Sequence, residues 1–212
     1  MRALSEGLVF VDEQVLVLDK PAGLLAVPGR GEDKQDCLSA RAQALWPDAL
    51  VVHRLDMATS GLFLMARGLH MQRILGRAFA EREVRKRYEA IVAGVPGPVG
   101  SRGAIELPIA ADWPNRPRQH VDAERGRPSV THWEVLAVQD DTARLALEPL
   151  TGRTHQLRVH LQAVGHPILG DALYAPQEIA LRAPRLLLHA SALELAHPAT
   201  GEPLHFASAV PF

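Results

Sequence analysis

A guanidinium and a carboxylate stand two positions apart in HRLDMATSG, residues 53–61, between the apolar runs ALVV and LFLMA. Asp, Thr, Ser and Gly are ordinary turn residues, because short polar side chains satisfy nearby backbone groups and Gly accepts positive φ. A turn gains nothing, however, from Arg54 two residues before Asp56. A carboxylate that a nearby cation keeps ionised in partly desolvated surroundings can act as a nucleophile or base. Arg158 is one candidate cation. It lies in THQLRVHLQAVG, which reads as a helix with Thr154 as N-cap, Gly165 at its end and a buried stripe of Leu157, Leu161 and Val164. Arg158 falls about 100° from Leu157, at the flank of that stripe. An arginine there reaches water or pairs with an acid. Pairing with Asp56 would hold the carboxylate by a bidentate fork. The chain has two tyrosines, and Tyr88, in the basic strand RKRYEAIV, is open both to plain strand packing and to proton transfer.

Other chemistries find less support. Ten histidines raise the question of metal, but His155 and His160 are five apart, and no HExxH or paired cysteine occurs. On a helix that separation turns the rings about 140° from each other. There is no GxSxG elbow, and VPGRGEDK lacks the GK[ST] ending of a phosphate loop. The residues predict no metal site.

The elements that must position these residues read as α+β with a mostly antiparallel sheet. GLVFV, QVLVL and LLAV are three strands, Ser39–Leu45 a short helix, and ALVV and LFLMA the strands flanking the loop. LHMQRILGRAFAERE has helical period through Leu69, Ile74, Leu75, Ala78 and Phe79. RKRYEAIVAG is a strand with Tyr88, Ala90 and Val92 on one face. The Pro- and Gly-rich stretch 94–121 reads as loops around one short strand. SVTHWEVLAV and TARLALEPL resume the sheet, and the tail is a hairpin around PATGEP. Neighbouring strands outnumber βαβ units, and 212 residues without a linker predict one domain.

Composition excludes little. The net charge is −1, yet residues 67–87 carry seven basic against two acidic side chains, a block suited to gripping phosphates. A lone Cys37 forms no internal disulfide, which fits a reducing compartment. MRALSEGLVFVDEQ places acids where a signal peptide needs apolar residues, and no run is long enough to span a bilayer. A cytoplasmic protein is expected.

HRLDMATSG, LTGRTHQLRVHLQAVGHPILGD and KPAGLLAVPG, in this order, resemble the motifs of the RluA family of RNA pseudouridine synthases. The resemblance runs from KPAG to the LLLHA tail. It implies the pseudouridine-synthase catalytic fold with a central cleft, no S4-like domain in front, and isomerisation of uridine to pseudouridine without a cofactor. Asp56 then matches the family's aspartate, acting on or moving a proton at ribose C1′. Tyr88 matches the active-site tyrosine and Arg158 the aspartate's partner. Arg54 matches the arginine that fills the place of the flipped nucleotide. His53, Arg67, Arg85, Lys86, Arg87, Arg116 and Arg153 are expected at the RNA. DWPNRP resembles the members that modify both 23S ribosomal RNA and a tRNA anticodon stem-loop, so these RNAs are the expected partners, with no obligate protein partner. A glycosidase would need a second carboxylate, with Glu148 and Asp171 available. A non-catalytic RNA-binding module would need neither Asp56 nor Arg158.

Overall fold

The computed structural model describes residues 7–212, so the reading of MRALSE lies outside the described residues. The first half of the chain runs β1 (Leu8–Val11), β2 (Val15–Lys20), a 3-10 turn (Glu32–Lys34), α1 (Leu38–Gln43), β3 (Ala49–Val51), β4 (Ser60–Arg67), α2 (Gly68–Ala80) and β5 (Arg85–Ala93). The second runs β6 (Arg102–Ile105), β7 (Ile109–Ala111), β8 (Gln119–Val121), β9 (Thr131–Gln139), β10 (Thr142–Pro149), α3 (Gln156–Ala163), α4 (Gln177–Ala180), β11 (Leu188–Ala196) and β12 (Pro203–Ala207). This is the α+β, mostly antiparallel arrangement that the sequence predicts. Two compact units emerge, one of residues 7–86 with 190–211, the other of 87–189 with Phe212.

In the first unit the strand order is β1-β2-β4-β11, with β3 also on β4 and β12 on β11. VLVL and LFLMA show no alternation because both faces of these strands are covered, and Val15–Leu18 and Leu62–Ala66 are 0% exposed. Val15, Val17, Leu62 and Leu64 pack with Leu75 of α2 and Leu193 and Leu195 of β11. Each such side chain contributes about 1.5–3 kcal/mol of burial. Leu69, expected in the helical stripe, is exposed, and Met71 packs in its place. The reason is angular: six residues from Leu75 is about 120° off its face, whereas four is close to it.

LLAV, expected as a third strand, is irregular. Its carbonyls have other partners: Leu24 O accepts from Lys20 Nζ at 2.8 Å, and Leu25 O and Ala26 O accept the N–H groups of Leu38 and Ser39 that open α1. Cys37, fully buried, caps the same helix, its Sγ accepting the Ala40 N–H at 3.4 Å.

In the second unit β10 lies between β5 and β9, and β6 pairs with β9. Tyr88 stands opposite Leu147, and Ala90 and Val92 on its face are fully buried. The stretch expected to hold one short strand forms β6 and a separate hairpin, β7–β8. Ile105 and Ile109, both buried, fix it to the unit despite its prolines and glycines.

Two details of α3 correct the sequence reading. His155, in the left-handed region at φ 55, replaces Thr154 as N-cap, and Val164 is exposed at the other end. No side chain among the described residues caps the helix, and Gln156 ties its start to the neighbouring segments instead. Its Oε1 accepts the Arg153 N–H at 3.0 Å and the Thr151 hydroxyl at 2.8 Å, and its Nε2 donates to Val130 O and to Thr131 Oγ1. Residues 156–161 are buried without a break, so no polar face exists for a stripe to oppose.

The loop HRLDMATSG leaves β3 and enters β4, which pair antiparallel up to Val51 opposite Met65. Its last residue, Gly61, has φ 108, and a Cβ there would lie 2.3 Å from Ala190 O. Gly61→Ala therefore has to displace backbone, at a cost of about 2–3 kcal/mol. Urea unfolding should show that loss, and an unchanged midpoint would mean that β4 and β11 do not approach so closely.

Candidate active site

The HRLDMATSG loop is pinned at two points, His53 and Met57, by groups that the sequence places far apart. At its start, His53 Nε2 accepts the Leu64 N–H at 2.9 Å, and the ring stacks on Phe79 at 4.7 Å and leans on Phe63 at 5.1 Å. Burial, with the nearby Lys86 charge, pushes the His53 pKa down to about 3. A neutral ring is what the bond to Leu64 requires, since a protonated nitrogen cannot accept. The structure thus places His53, expected at the RNA, in the support of the loop. In the middle, Leu55 is buried while Arg54 and Met57 are exposed and Asp56 is partly so. Arg54 forms no ion pair within 4.0 Å among the described residues. Just past Asp56, Met57 O accepts both the Gly23 N–H at 2.8 Å and the fully buried Lys20 Nζ at 3.0 Å. Lys20 Nζ also donates to Pro21 O and Leu24 O, each at 2.8 Å, which closes KPAG against the loop.

In the second unit Arg158 is 4% exposed and forms a fork with Asp171, which is 1% exposed, at 2.8 and 2.6 Å. Asp171 Oδ1 further accepts the N–H groups of Leu173 and Tyr174. The sequence reading gave Asp171 only a turn role or that of a second carboxylate. It is instead the buried counter-charge of Arg158. The Arg158 guanidinium lies 5.0 Å from the Tyr174 ring, whose hydroxyl meets His155 Nδ1 at 2.6 Å and accepts the Gln119 N–H at 2.9 Å. One chain of contacts therefore joins the base of α3 to the β7–β8 hairpin. Burial lowers the pKa of His160, whose ring nitrogens meet Leu107 O and Thr131 Oγ1. Tyr88 is partly buried on β5. Glu148, the other carboxylate considered, is exposed and lies 3.8 Å from Arg87.

The basic block at 67–87 is less available than its charge suggests. Arg67 is bound to Asp48 at 3.0 Å and to Asp12 O at 2.9 Å, and Arg77 to Glu81 at 2.8 Å. Lys86 is largely desolvated, which lowers its pKa. Arg73, Arg82 and Arg85 remain exposed without an ion pair within 4.0 Å among the described residues. A second basic surface surrounds the β7–β8 hairpin, where Arg116, Arg118, Arg125 and Arg127 are likewise exposed and unpaired within 4.0 Å among the described residues. Arg116 stacks on Trp113, 3.3 Å from the ring centroid. Of these, sequence reasoning named only Arg116. The others are scattered singly along the chain and form no visible block.

Residues 14–163 match the family model described as RNA pseudouridylate synthase, and that span contains Asp56, Tyr88 and Arg158. The fold agrees. Human RNA pseudouridylate synthase domain containing 1 superposes with a TM-score of 0.79 at 29% identity, over 97% of this chain and 84% of that one. Human RNA pseudouridylate synthase domain containing 4 gives 0.78 at 29% identity, over 99% and 90%. A fold of this kind, matched by that model over most of the chain, defines an enzyme that isomerises uridine to pseudouridine in RNA. Within that class the chain belongs to the RluA pseudouridine synthase family. The dual-specificity RNA pseudouridine synthase RluA of Escherichia coli K12 is 48% identical over 206 residues, covering 97% of this chain and 93% of that protein. The protein of the same name from Vibrio cholerae is 48% identical over 190 residues, 90% of this chain and 77% of its own.

Two outcomes follow from the geometry. Unfolded, His53 takes up its proton near pH 6.5, but folded only near pH 3. The unfolded chain therefore binds more protons in that window, and the stability contributed by neutral His53, complete above pH 6.5, is lost as pH falls toward 3. Urea midpoints between pH 7 and 4 should fall less steeply for His53→Gln than for the parent; equal slopes would show that His53 does not titrate in this way. Asp171→Asn removes a buried carboxylate that forms a fork with the Arg158 guanidinium and should cost about 3–5 kcal/mol. An unaltered unfolding midpoint would contradict the buried pair.

Proposed function

We propose that Asp56 is the carboxylate of the reaction, that Tyr88 and Arg158 act with it, and that the substrates are stem-loops of both 23S ribosomal RNA and a tRNA anticodon arm. The observation that carries the reading is the mounting of Asp56. Buried Leu55 on one side and the Lys20-bound carbonyl of Met57 on the other hold a partly exposed carboxylate on a sheet with both faces covered. A loop serving only as a turn has no need of a buried ammonium.

The isomerisation breaks the N1–C1′ bond, turns the base and forms a C5–C1′ bond. The C5 proton is lost and N1 gains one, so mass and oxidation state are unchanged. Asp56 serves at C1′, by attack or by taking a proton. Tyr88 stacks on the base and moves a proton as general acid or base, a role worth about a hundredfold to ten-thousandfold. Arg158, locked by Asp171, supplies a fixed cation that costs no reorganisation during the reaction. Arg54, exposed beside Asp56, fills the gap left when the uridine leaves its stack. Arg73, Arg82, Arg85 and Arg87, with Arg116 and Arg153, contact the RNA backbone. The dual specificity named for the relatives supports two RNA classes. We infer a cytoplasmic enzyme from RNA substrates of this kind; among the described residues no helix is long and apolar enough to cross a membrane.

Asp56→Asn separates binding from chemistry. Asn keeps the shape of the side chain but is neither a nucleophile nor a base. Filter binding to ribosomal and tRNA stem-loops should stay near the parent value, while tritium release from 5-tritiated uridine falls below detection. Release at even a hundredth of the parent rate would sink the assignment, and loss of binding together with activity would make Asp56 structural.

A further inference from the structure

The second unit holds a cavity that the reaction does not use. It has a volume of about 690 Å³ and lies between the β7–β8 hairpin, the turn at 122–127 and the loop 152–154. Sites for small organic ligands span about 300–1,000 Å³. Two kinds of group dominate its wall. One is Trp113, an indole 68% exposed and braced by the Arg116 guanidinium. The other is a set of arginines, Arg125, Arg127 and Arg153. The acids in the lining are engaged in turns. Asp122 Oδ1 accepts the N–H groups of Glu124 and Arg125 at 2.9 Å, and Asp112 binds the Asn115 side chain at 3.0 and 3.1 Å.

The wall is also fixed in place. Gln119 lines the cavity, and its N–H donates to the Tyr174 hydroxyl, which His155 holds from the other side. An aromatic surface beside several guanidinium groups suits a flat ring joined to an anion. An apolar ligand would leave Arg125 and Arg127 without a partner, and a free anion would gain nothing from the indole.

We propose that this cavity is a nucleotide subsite, taking one unpaired nucleotide of the RNA loop other than the uridine being isomerised. Its base lies on Trp113, and its phosphate meets Arg125 or Arg127. The subsite deepens the RNA reading above and rests on it. It reads an extruded base by stacking, the usual way a protein grips single-stranded RNA. It also assigns the exposed tryptophan of DWPNRP a part in choosing which RNA loops are accepted.

The test uses a stem-loop in which the full-length parent enzyme forms pseudouridine; that control stands apart from the subsite, because its failure would strike the choice of RNA alone. Each loop nucleotide except the target is then made abasic in turn. Dissociation constants are measured for the parent and for Trp113→Ala, whose side chain is too exposed for its removal to disturb folding. At one position the abasic change should weaken the parent about tenfold, as loss of a single stacked base does. Trp113→Ala should bind the intact RNA about tenfold more weakly and be indifferent to that same abasic change. The subsite is overturned if Trp113→Ala binds like the parent, or if every abasic change weakens both proteins equally. Arg127→Ala together with Arg125→Ala should lower the slope of log affinity against log salt by about one or two. An unchanged slope overturns the phosphate half of the subsite.

Discussion

The loop that carries Asp56 depends on an ammonium group with no access to water. Lys20 ends β2 at 0% exposure, and an ion in that position costs several kcal/mol unless oxygens converge on it. Pro21, Leu24 and Met57 supply their carbonyls, and the last of these belongs to the residue after Asp56. The demand of one cation for acceptors thus draws a turn and a distant loop together. The same demand withdraws Leu24 from any strand, so the irregularity of LLAV and the placement of Asp56 have a common cause.

The second unit uses a related device of opposite composition. There the buried cation is Arg158 and a carboxylate satisfies it, while Gln156 in the same helix bonds to four groups across the unit. Asp171 gathers the backbone of its own turn as well, and Tyr174 from that turn reaches the β7–β8 hairpin. A fold that must meet a polyanion benefits from cations already immobilised. Ordering a free arginine on contact would cost side-chain entropy of about 1–2 kcal/mol.

Much of this was legible in the chain. Strands β1, β2, β4, β5, β9, β10 and the β11–β12 hairpin follow from apolar runs and turn residues, which are local signals. So is the loop that presents Asp56. What the sequence concealed were partners brought close by folding. Asp48 lies 19 residues before Arg67, and Asp171 lies 13 after Arg158. Charge counting along 67–87 cannot see the first, and a helical wheel cannot see the second. The cap of α3 failed for a similar reason. Thr154 has the right chemistry, but the helix begins one residue later, at His155 in the left-handed region, and no side chain among the described residues caps it. Arg118, Arg125 and Arg127 were missed because a hairpin, not a sequence block, assembles them.

Cys37 carries a practical consequence. The chain's single thiol is fully buried at the start of α1, bound into the cap by the Ala40 N–H. A reagent can reach it only when the packing around the start of α1 opens, because the thiol is fully buried. Alkylation of the native enzyme is therefore a clock. Under conditions where closing outpaces labelling, its rate reads the free energy of that opening; where labelling is faster, it reads the rate of opening itself. The protein thus carries an internal probe of its own breathing, with no tag or substitution required.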